Sequence, residues 1–365
     1  MKNNTKDKLT QAREKINDID QKIAELFEQR MAAAELVADH KREHGLDVLD
    51  PIREAEVLKK NSELITNPIY KEYYVNFQKN VMSISRSYQT RLLEGMTVAY
   101  SGVEGAYAHL AATKLFPTAK KKGYGSFDEA YRAVENGECD VAVLPIENSY
   151  NGDVGQVADL MFSGSLFVNN VTELAISHDL LAPRGAHLED IRTVISHPQA
   201  LGQCHDYIVK HGLSEEEFAN TALAARRVSE LMDNTVAAIA SKEAAEIFGL
   251  KVLDTNINGG RTNTTRFAVF SRTRNSISQN DKRAHTIILF TVKNEAGALA
   301  KAIDIIAKYG FNMGALRSRP MKELLWQYYF YVEAEGNLES ENGKKMMEEL
   351  KSYCDRLKSV GGYIV

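Results

Sequence analysis

Residues 97–115 read TVAYSGVEGAYAHLAATKL, and this stretch indicates the architecture of the central part of the chain. Its first residues, Thr97–Tyr100, form a short apolar run of the kind that fills a buried strand. A polar, turn-rich segment follows at Ser101–Gly105, and Ala106–Leu115 then has the composition of a helix. A strand that passes through such a turn into a helix is the unit from which α/β domains are built.

The same alternation continues on the C-terminal side of this stretch. Further buried strands are predicted at Asp140–Leu144, Arg192–Ile195, Val236–Ala240 and Phe267–Phe270. Helices are predicted between them at Phe127–Asn136, Gln199–Val209 and Thr221–Met232. We therefore predict an α/β domain at residues 96–273.

The chain before this domain is predicted to be entirely helical, because it is rich in Glu, Lys, Ala, Leu and Gln. A 3-4-3 apolar row predicts one helix from about Thr5 to Glu43; its members are Ile16, Ile19, Ile23 and Leu26. Further helices are predicted to begin at Asp50-Pro51 and near Pro68. The first helix, roughly 55 Å long at about 1.5 Å per residue, is too long for a compact domain of this size. We therefore expect the domain at residues 5–93 to pack against another chain, as a homodimer or higher homo-oligomer.

The last part of the chain has a third pattern. The polar stretch Arg272–Arg283 predicts a linker. Six elements follow it in the order βαββαβ: His285–Val292, Ala298–Tyr309, Asn312–Arg317, Tyr328–Glu333, Gly343–Leu357 and Gly362–Val365. This order predicts a ferredoxin-like domain at residues 284–365.

Composition excludes several classes of protein. The 365 residues include 45 Lys and Arg against 49 Asp and Glu, and a net charge of −4 gives no general attraction to nucleic acid or acidic membranes. No apolar run approaches the ~20 residues that span a bilayer, and the first residues lack the apolar core of a signal peptide. Three widely spaced cysteines do not form a disulfide framework or a cysteine-based zinc site. We predict a cytoplasmic enzyme.

The common cofactor motifs are also missing. Gly102-x-x-Gly105 lacks the first half of the dinucleotide-binding G-x-G-x-x-G, and no P-loop occurs, so a nicotinamide-dependent dehydrogenase is disfavoured. His197, Cys204 and His205 lack the spacing of a zinc site, and no G-x-S-x-G motif supports a serine hydrolase. We predict no cofactor and no metal.

Basic residues on the first helix form a candidate anion site. Arg30 and Lys41 are eleven residues apart, so they share a helix face at about 16 Å and can close around a small dianion. Arg13 lies about 25 Å from Arg30 on a different face, so only an antiparallel partner helix can bring it to the same ligand. On spacing alone, these charges also fit an ordinary solvated helix surface.

The helical region resembles the all-helical chorismate mutase family. The resemblance rests on Ala12-Arg13-Glu14-Lys15-Ile16, Gln29-Arg30, Lys41, Asp50-x-x-x-Glu54 and Ser85-x-x-x-Gln89. It implies an intertwined helical dimer in which Arg13 of the partner and Arg30 bind the two carboxylates of chorismate. It further implies that Lys41 and Gln89 bind the ether oxygen, that Glu54 and the Asp50 region hold the hydroxyl, and that Ser85 helps to seat a carboxylate. The reaction is a rearrangement that needs conformational trapping and electrostatic stabilisation but no nucleophile.

The α/β region has polar peptides at the ends of several predicted strands, where ligands bind in open α/β sheets. Four ordered motifs resemble prephenate dehydratases: Gly102-x-x-Gly105-x-Tyr107, Pro145-Ile146-Glu147-Asn148-Ser149, Ser196-His197-Pro198-Gln199-Ala200-Leu201-x-Gln203-Cys204 and Asn263-Thr264-Thr265-Arg266-Phe267. The resemblance implies two α/β lobes around a cleft, as in periplasmic binding proteins, and no cofactor. It implies that Thr265 is essential to protonation of the departing hydroxide and that Arg266 binds a carboxylate. The expected site also includes Glu147, Asn148, Ser149, Ser196 and Gln203.

The C-terminal region resembles the ACT domain, an amino-acid-sensing module. Glu295-Ala296-Gly297-Ala298-Leu299 and Arg317-Ser318-Arg319-Pro320 carry this resemblance. It implies a phenylalanine site formed by Gly297, Ala298, Leu299, Ser318 and Arg319. The family usually has glutamate where this chain has Arg317, so we expect phenylalanine to bind with altered affinity.

The three resemblances together imply an enzyme of phenylalanine biosynthesis that acts on chorismate and prephenate and responds to phenylalanine. Two alternatives stay open at this point. One is a dehydratase that uses arogenate, which differs from prephenate only by a side-chain amine. The other is a non-catalytic amino-acid sensor whose catalytic domains have decayed.

Overall fold

The structure, a computed structural model, describes residues 8–259, 263–321 and 327–365. The chain divides between Met96 and Thr97 into two compact units. The first unit consists of three described helices, α1 (Lys8–His44), α2 (Pro51–Ser62) and α3 (Pro68–Glu94). All three were predicted, although residues 5–7 of the predicted first helix lie outside the described residues.

Local interactions explain where these helices begin and end. Asp50 accepts a hydrogen bond from the Arg53 amide at 3.0 Å, and Pro51 occupies the first turn of α2. Asn67 caps α3 in the same way, and α3 ends at Gly95, which has a positive φ of 80°. The apolar row that predicted α1 is largely uncovered within the single chain: Ile16, Ile19, Ile23 and Leu26 are 44–63% exposed.

The second unit contains two β-sheets within the described residues. Its strands are β1 (Thr97–Ser101), β2 (Lys120–Tyr124), β3 (Val141–Asn148), β4 (Gly152–Asp153), β5 (Phe167–Ala175), β6 (Asp179–Ala182), β7 (Thr193–Ser196), β8 (Ser214–Glu217), β9 (Val236–Ala240), β10 (Lys251–Asp254), β11 (Thr264–Ser271), β12 (Ala284–Thr291), β13 (Asn312–Pro320), β14 (Tyr328–Glu335) and β15 (Arg356–Ile364). The larger sheet has the order β13-β14-β12-β15-β5-β11-β3-β1-β2, with β4 beside β3. The smaller sheet has the order β10-β6-β9-β7-β8.

Helices connect and cover these strands. They are α4 (Tyr107–Leu115), α5 (Phe127–Glu135), α6 (Gly155–Ser163), α7 (Pro198–Gln203), α8 (His205–Lys210), α9 (Thr221–Leu231), α10 (Lys242–Phe248), α11 (Ala298–Lys308) and α12 (Glu341–Tyr353), with a short 3₁₀ helix at Leu188–Asp190. The predicted helix Gln199–Val209 is in fact two helices, because the chain leaves helical geometry at Cys204.

The chain crosses between the two sheets of this unit twice, once after β5 and once before β11. The two crossing segments are joined by hydrogen bonds from the Ile176 amide to the Asn263 carbonyl (2.7 Å) and from the Ile257 amide to the His178 carbonyl (2.8 Å). Two paired crossings place the sheets as two lobes with a cleft between them. This confirms the two-lobed α/β fold that the sequence predicts.

The C-terminal elements follow the predicted βαββαβ order, but they do not form a separate body. Strand β15 meets β5 at Gly361 and Val168, which joins the two parts of the larger sheet. Gly361 is required there, since its φ is +131° and a Cβ would lie 2.3 Å from the Val168 carbonyl oxygen. Tyr329, Tyr331 and Tyr363 also pack into the same hydrophobic core as Tyr131 and Phe270.

No helix in the three described ranges has both the length and the apolar character needed to cross a bilayer. The cytoplasmic location stays a prediction.

Candidate active sites

In the helical unit, one stripe of α1 faces α3. Arg30, Ala34, Ala38 and Lys41 lie at spacings that place them on one face, and the two alanines are buried. On α3, Ser85 and Gln89 are one turn apart and also buried. The small alanine side chains allow α3 to approach closely while polar groups stand at both ends of the stripe.

Arg30 and Ser85 are in direct contact across the two helices. A guanidinium N–H of Arg30 donates to Ser85 Oγ, and Ser85 Oγ donates to the Val81 carbonyl at 3.1 Å. Partial burial lowers the pKa of Arg30, although the group remains charged at neutral pH. Gln89 is only 8% exposed, and its Oε1 is buried without a hydrogen-bond partner among the described residues. A buried unpaired amide oxygen is costly in an apolar core, so this position fits a polar ligand site.

The other expected mutase residues take different positions. Lys41 Nζ donates to the Val48 carbonyl at 2.5 Å, and the Asp50 carboxylate is used as the cap of α2. Glu54 forms an ion pair with Arg86, a residue that sequence reasoning missed because nothing in the spacing separates it from an ordinary surface charge. Arg13 is exposed on α1, seventeen residues before Arg30, which the rise of about 1.5 Å per residue converts to about 25 Å.

In the second unit, the cleft between the lobes holds a cavity of about 720 Å³. Ends of strands and starts of helices from both sheets line it: Ser101, Gly102, Ala106, Tyr107, Gly125, Phe127, Pro145, Asn148, Asn151, Gly152, Asp153, Val154, Gln156, Ile176, His178, His197, Gln199, Ala200, Gln203, Ala219, Asn220, Thr221, Asn263 and Thr265. All four motifs of the central region contribute to this lining. The cavity is therefore where the sequence motifs converge.

Asn148 and Thr265 are adjacent in this lining. They are neighbours on the antiparallel strands β3 and β11, and Asn148 Nδ2 donates to Thr265 Oγ1 at 2.9 Å. The amides of Tyr150 and Asn151 donate to Asn148 Oδ1, which fixes the orientation of the side-chain amide. Thr265 is 9% exposed, and no described residue accepts its hydroxyl hydrogen. The hydroxyl is thus held by its oxygen and can donate to a ligand.

A chain of hydrogen bonds extends this pair across the cleft. Asn148 Nδ2 also donates to Asn263 Oδ1 at 2.8 Å, and Asn263 Nδ2 donates to Gln203 Oε1 at 2.9 Å. Gln203 Oε1 lies 2.8 Å from His178 Nε2, and His178 Nδ1 lies 3.2 Å from the Tyr107 hydroxyl. None of the four sequence motifs of the central region includes His178. Its place in the cleft follows from the first crossing between the sheets, which sequence patterns do not show.

The electrostatics of the cavity depend on backbone and neutral groups. Burial lowers the pKa of both His178 and His197, so both are neutral at pH 7. None of the described lining residues is lysine or arginine. The residues before helices α4 and α6, Ala106 and Val154, form no side-chain cap hydrogen bond, so no capping side chain competes with an anion for the first amides of these helices.

Four of the expected dehydratase residues do not line the cavity. Ser196 is fully buried and donates to the Ile239 carbonyl at 2.6 Å, and Ser149 Oγ accepts from the Thr264 amide at 2.9 Å. Glu147 and Arg266 lie on the opposite face of β3 and β11, because side chains alternate along a strand. There Arg266 pairs with Glu147 at 3.0 Å and with Glu333 at 2.5 Å. Arg266 therefore does not fit the expected role of a partner for a substrate carboxylate.

The expected effector residues are also divided. Gly297 is the N-cap of α11, with a φ of +82° and open space where a Cβ would lie, and Ala298 and Leu299 are the first residues of the helix. Ser318 is exposed on β13, an edge strand of the larger sheet. Arg319 points the other way and donates to Asp159 of α6 at 2.9 Å. Because Arg319 is already paired with Asp159, its side chain does not fit the expected role in binding phenylalanine.

One cluster of possible metal ligands occurs among the described residues. His40, Glu43 and His44 are exposed on α1, and their ligand atoms lie within 4.8 Å of one another. Of the described residues in the second unit, His197, Cys204 and His205 do not form such a group, although they are close to one another in sequence. Sequence reasoning missed the i, i+4 histidine pair, because the zinc spacings it considered require two clusters.

Comparison with known proteins identifies both units. A family model described as chorismate mutase type II matches residues 12–90, and one described as prephenate dehydratase matches residues 98–275. Two solved structures resemble the second unit. A prephenate dehydratase from Arthrobacter aurescens in complex with L-Phe has a TM-score of 0.68 and 25% identity over 74% of this chain and 90% of that chain. GqqA, described as a novel type of quorum quenching acylase, has a TM-score of 0.69 and 31% identity over 74% of this chain and 98% of that chain.

The folds and sites define an enzyme with a helical mutase unit and a two-lobed dehydratase unit. A bifunctional chorismate mutase/prephenate dehydratase of Neisseria gonorrhoeae is 33% identical over 354 residues, which cover 96% of this chain and 95% of that protein. The chain belongs to the family of bifunctional chorismate mutase/prephenate dehydratases.

Proposed function

We propose that this chain catalyses two successive steps of phenylalanine biosynthesis. The helical unit rearranges chorismate to prephenate, and the cleft of the second unit converts prephenate to phenylpyruvate. The observation that carries the second step is the Asn148–Thr265 pair, whose threonine hydroxyl is fixed at the cavity wall and donates to none of the described residues. Family membership and the Arg30–Ser85–Gln89 cluster support the first step.

The mutase site works by holding chorismate in a compact conformation. Arg30 binds one carboxylate, with Ser85 beside it, while Lys41 and Gln89 stabilise the charge that grows on the ether oxygen. Glu54, oriented by its ion pair with Arg86, holds the substrate hydroxyl together with the region of Asp50. No covalent intermediate or proton transfer is needed, so positioning and electrostatics supply the rate enhancement.

We propose that the site is completed by a second copy of the chain. Large apolar side chains on α1 and α3 are exposed in the single chain, including Leu26, Leu36 and Tyr73, at 63–73%. Such a surface is unusual for a monomer and fits burial against an identical long helix. An antiparallel partner would also bring its Arg13 to the Arg30 end of the site.

The dehydratase step breaks two bonds of prephenate. The bond to the ring carboxylate breaks to release CO₂, its electron pair enters the ring, and the ring hydroxyl departs with a proton as water. Thr265 donates a hydrogen bond to that departing oxygen, and Asn148 fixes the threonine. Threonine is too weak an acid to supply the proton unaided, so it orients and polarises the leaving group. Backbone amides at the starts of α4 and α6, which no side chain caps, hold the carboxylates.

A direct assay tests this function. Purified protein is incubated with chorismate and no added cofactor, and prephenate and phenylpyruvate are measured over time. We expect prephenate to accumulate first and phenylpyruvate to follow. Arogenate is offered in a parallel reaction. If phenylalanine forms from arogenate faster than phenylpyruvate forms from prephenate, the second activity is that of an arogenate dehydratase. A protein that consumes neither substrate but binds phenylalanine would be a sensor.

His178 predicts the pH dependence of the dehydratase. Because burial lowers its pKa, His178 stays neutral to a lower pH than the ordinary value of 6.5, and activity should fall only below that pH. Protonation would place a charge in a buried position and remove the acceptor next to Tyr107. The measurement is kcat/KM for prephenate against pH, with His178→Gln as the matched variant. The variant should be about tenfold slower, and its activity should not fall at low pH in this way. If the fall at low pH is unchanged, a group other than His178 causes it.

We propose that the βαββαβ region is an ACT domain that binds phenylalanine near the start of α11. The Arthrobacter aurescens dehydratase was solved with L-Phe, which supports a phenylalanine effector here. We expect calorimetry on the intact protein to show binding, and phenylalanine to weaken prephenate affinity several-fold, since allosteric coupling is typically about 1–3 kcal/mol. The test uses the intact protein because residues 284–365 share a hydrophobic core with the dehydratase region, and their deletion would expose that core. Absence of binding at millimolar phenylalanine would remove the sensor role.

A further inference from the structure

A network of charged residues connects the C-terminal strands to the catalytic strands. We call it the arginine–glutamate network, and it comprises Glu147, Arg266, Arg317, Glu333 and Tyr363. The two oxygens of Glu147 bind different arginines: Oε2 pairs with Arg266 at 3.0 Å and Oε1 pairs with Arg317. Arg266 also binds Glu333 through two nitrogens, at 2.5 and 3.1 Å, and the Tyr363 hydroxyl at 2.8 Å.

The network is balanced and mostly shielded from water. Two guanidinium groups face two carboxylates, and each of these side chains is 28% exposed or less. Burial disfavours the charge on Arg266, but the hydrogen bonds and charge of Glu333 outweigh it and raise the pKa of Arg266. Arg317 also lies over the Tyr331 ring at 5.3 Å, which holds its side chain toward β3.

The register of β3 and β11 places this network directly behind the catalytic pair. Thr265 pairs with Asn148, and the next residues along the strands, Arg266 and Glu147, pair with each other. Alternation directs the first pair into the cleft and the second to the face covered by the C-terminal strands. The ladder is irregular immediately after Arg266, where a bulge interrupts the pairing of β11 with β3. The ion pair between Glu147 and Arg266 therefore fixes the strand ends where backbone pairing is weakest.

Arg317 differs from the glutamate that the family usually has at this position. With glutamate at this position, three carboxylates would surround the single guanidinium of Arg266, and Glu147 would lose one of its partners. Arginine gives Glu147 a partner on each oxygen. The position on β13 thus decides how tightly Glu147 is held.

We propose that Glu147 and Arg266 are positioning residues for Asn148 and Thr265, and that Arg317 sets their geometry from β13. The proposal rests on the proposed dehydratase function. It assigns to Arg317 an effect on the chemical step of the dehydratase although Arg317 does not line the cavity. Since Thr265 acts on the departing hydroxide, a loosened network lowers kcat and leaves substrate contacts intact.

The test is a double-mutant cycle on Glu147 and Arg317 in the full chain. Arg317→Gln should lower the dehydratase kcat about tenfold with KM for prephenate changed less than about twofold, the pattern of a lost transition-state interaction. Arg317→Lys, which keeps the charge, should recover most of the rate. In a Glu147→Gln protein, Arg317→Gln should lower the dehydratase kcat by less than about a further twofold, because both substitutions break the same ion pair.

The matched control is Arg274→Gln. Arg274 also binds the C-terminal part of the chain, through Glu339 at 3.6 Å and Ser359 at 2.7 Å, but it contacts neither Glu147 nor the cleft. This variant should keep the wild-type kcat, and thermal unfolding of each variant separates loss of fold from loss of positioning. Unchanged kcat in Arg317→Gln, an effect on KM alone, or additive losses in the cycle would each overturn the proposal. A wild-type protein that forms no phenylpyruvate would instead overturn the proposed function.

Discussion

Replacement of Thr265 by alanine is expected to lower phenylpyruvate formation by about 10²–10⁴-fold, the range for loss of a group that assists proton transfer. The reason is geometric: Thr265 lines the cavity, and Asn148 holds its Oγ1 so that the hydroxyl can donate to a ligand. Mutase activity should persist, because Thr265 belongs to the second unit and the mutase residues belong to the first. Prephenate would therefore accumulate from chorismate.

Thr265→Ser is the matched control. Serine keeps the hydroxyl that Asn148 orients and removes only a methyl group, so the variant should keep most of the dehydratase rate. A Thr265→Ala protein that forms phenylpyruvate at the wild-type rate would show that this hydroxyl is not part of the chemistry. Loss of both activities in a folded protein would contradict the assignment of the two reactions to separate units.

Replacement of Arg30 by alanine is expected to give the opposite result. Arg30 is the partly buried cation that contacts Ser85 across the α1–α3 stripe, and its loss should lower chorismate consumption by about 10²–10³-fold, as for other preorganised donors. Dehydratase activity on added prephenate should remain. Arg30→Lys tests whether a charge alone suffices, and we expect partial activity because lysine lacks the bidentate geometry.

The Arg30 variant also tests the shared site. Arg13→Ala should be inactive as a mutase although Arg13 is about 25 Å from Arg30 along α1, given a rise of about 1.5 Å per residue. Mixing the two inactive proteins under subunit exchange should restore activity, because one site of each heterodimer contains both native arginines. Confirmed heterodimers that stay inactive would place Arg13 outside the site.

Sequence reasoning predicted the residues that line the cavity better than the residues that lie behind it. Asn148, Gln203 and Thr265 were predicted from motifs at strand ends, and the structure brings all three to one cavity. Arg266 was misplaced because the motif treats adjacent residues alike, whereas a strand directs neighbouring side chains to opposite faces. The register with β3 and the position of Glu333 on β14 were needed to find its partners.

Some strands were predicted from the sequence and others were not. Buried strands such as β9 were predicted with the observed bounds, since burial on both faces leaves a continuous apolar run. The edge strands β2 and β8 were not predicted, because their sequences are KKKGY and SEEE and only backbone pairing defines them. The core shared by the C-terminal strands and the dehydratase sheet could not be predicted either, since it depends on contacts between residues far apart in sequence.

We propose that one chain carries two independent active sites and that the product of the first is the substrate of the second. To test this, Thr265→Ala and Arg30→Ala proteins are mixed, and the phenylpyruvate formed from chorismate is measured. Neither protein alone should convert chorismate to phenylpyruvate. We expect the mixture to regain the activity, because the first protein supplies prephenate that the second dehydrates. No phenylpyruvate from the mixture, with prephenate accumulating and both proteins folded, would contradict it.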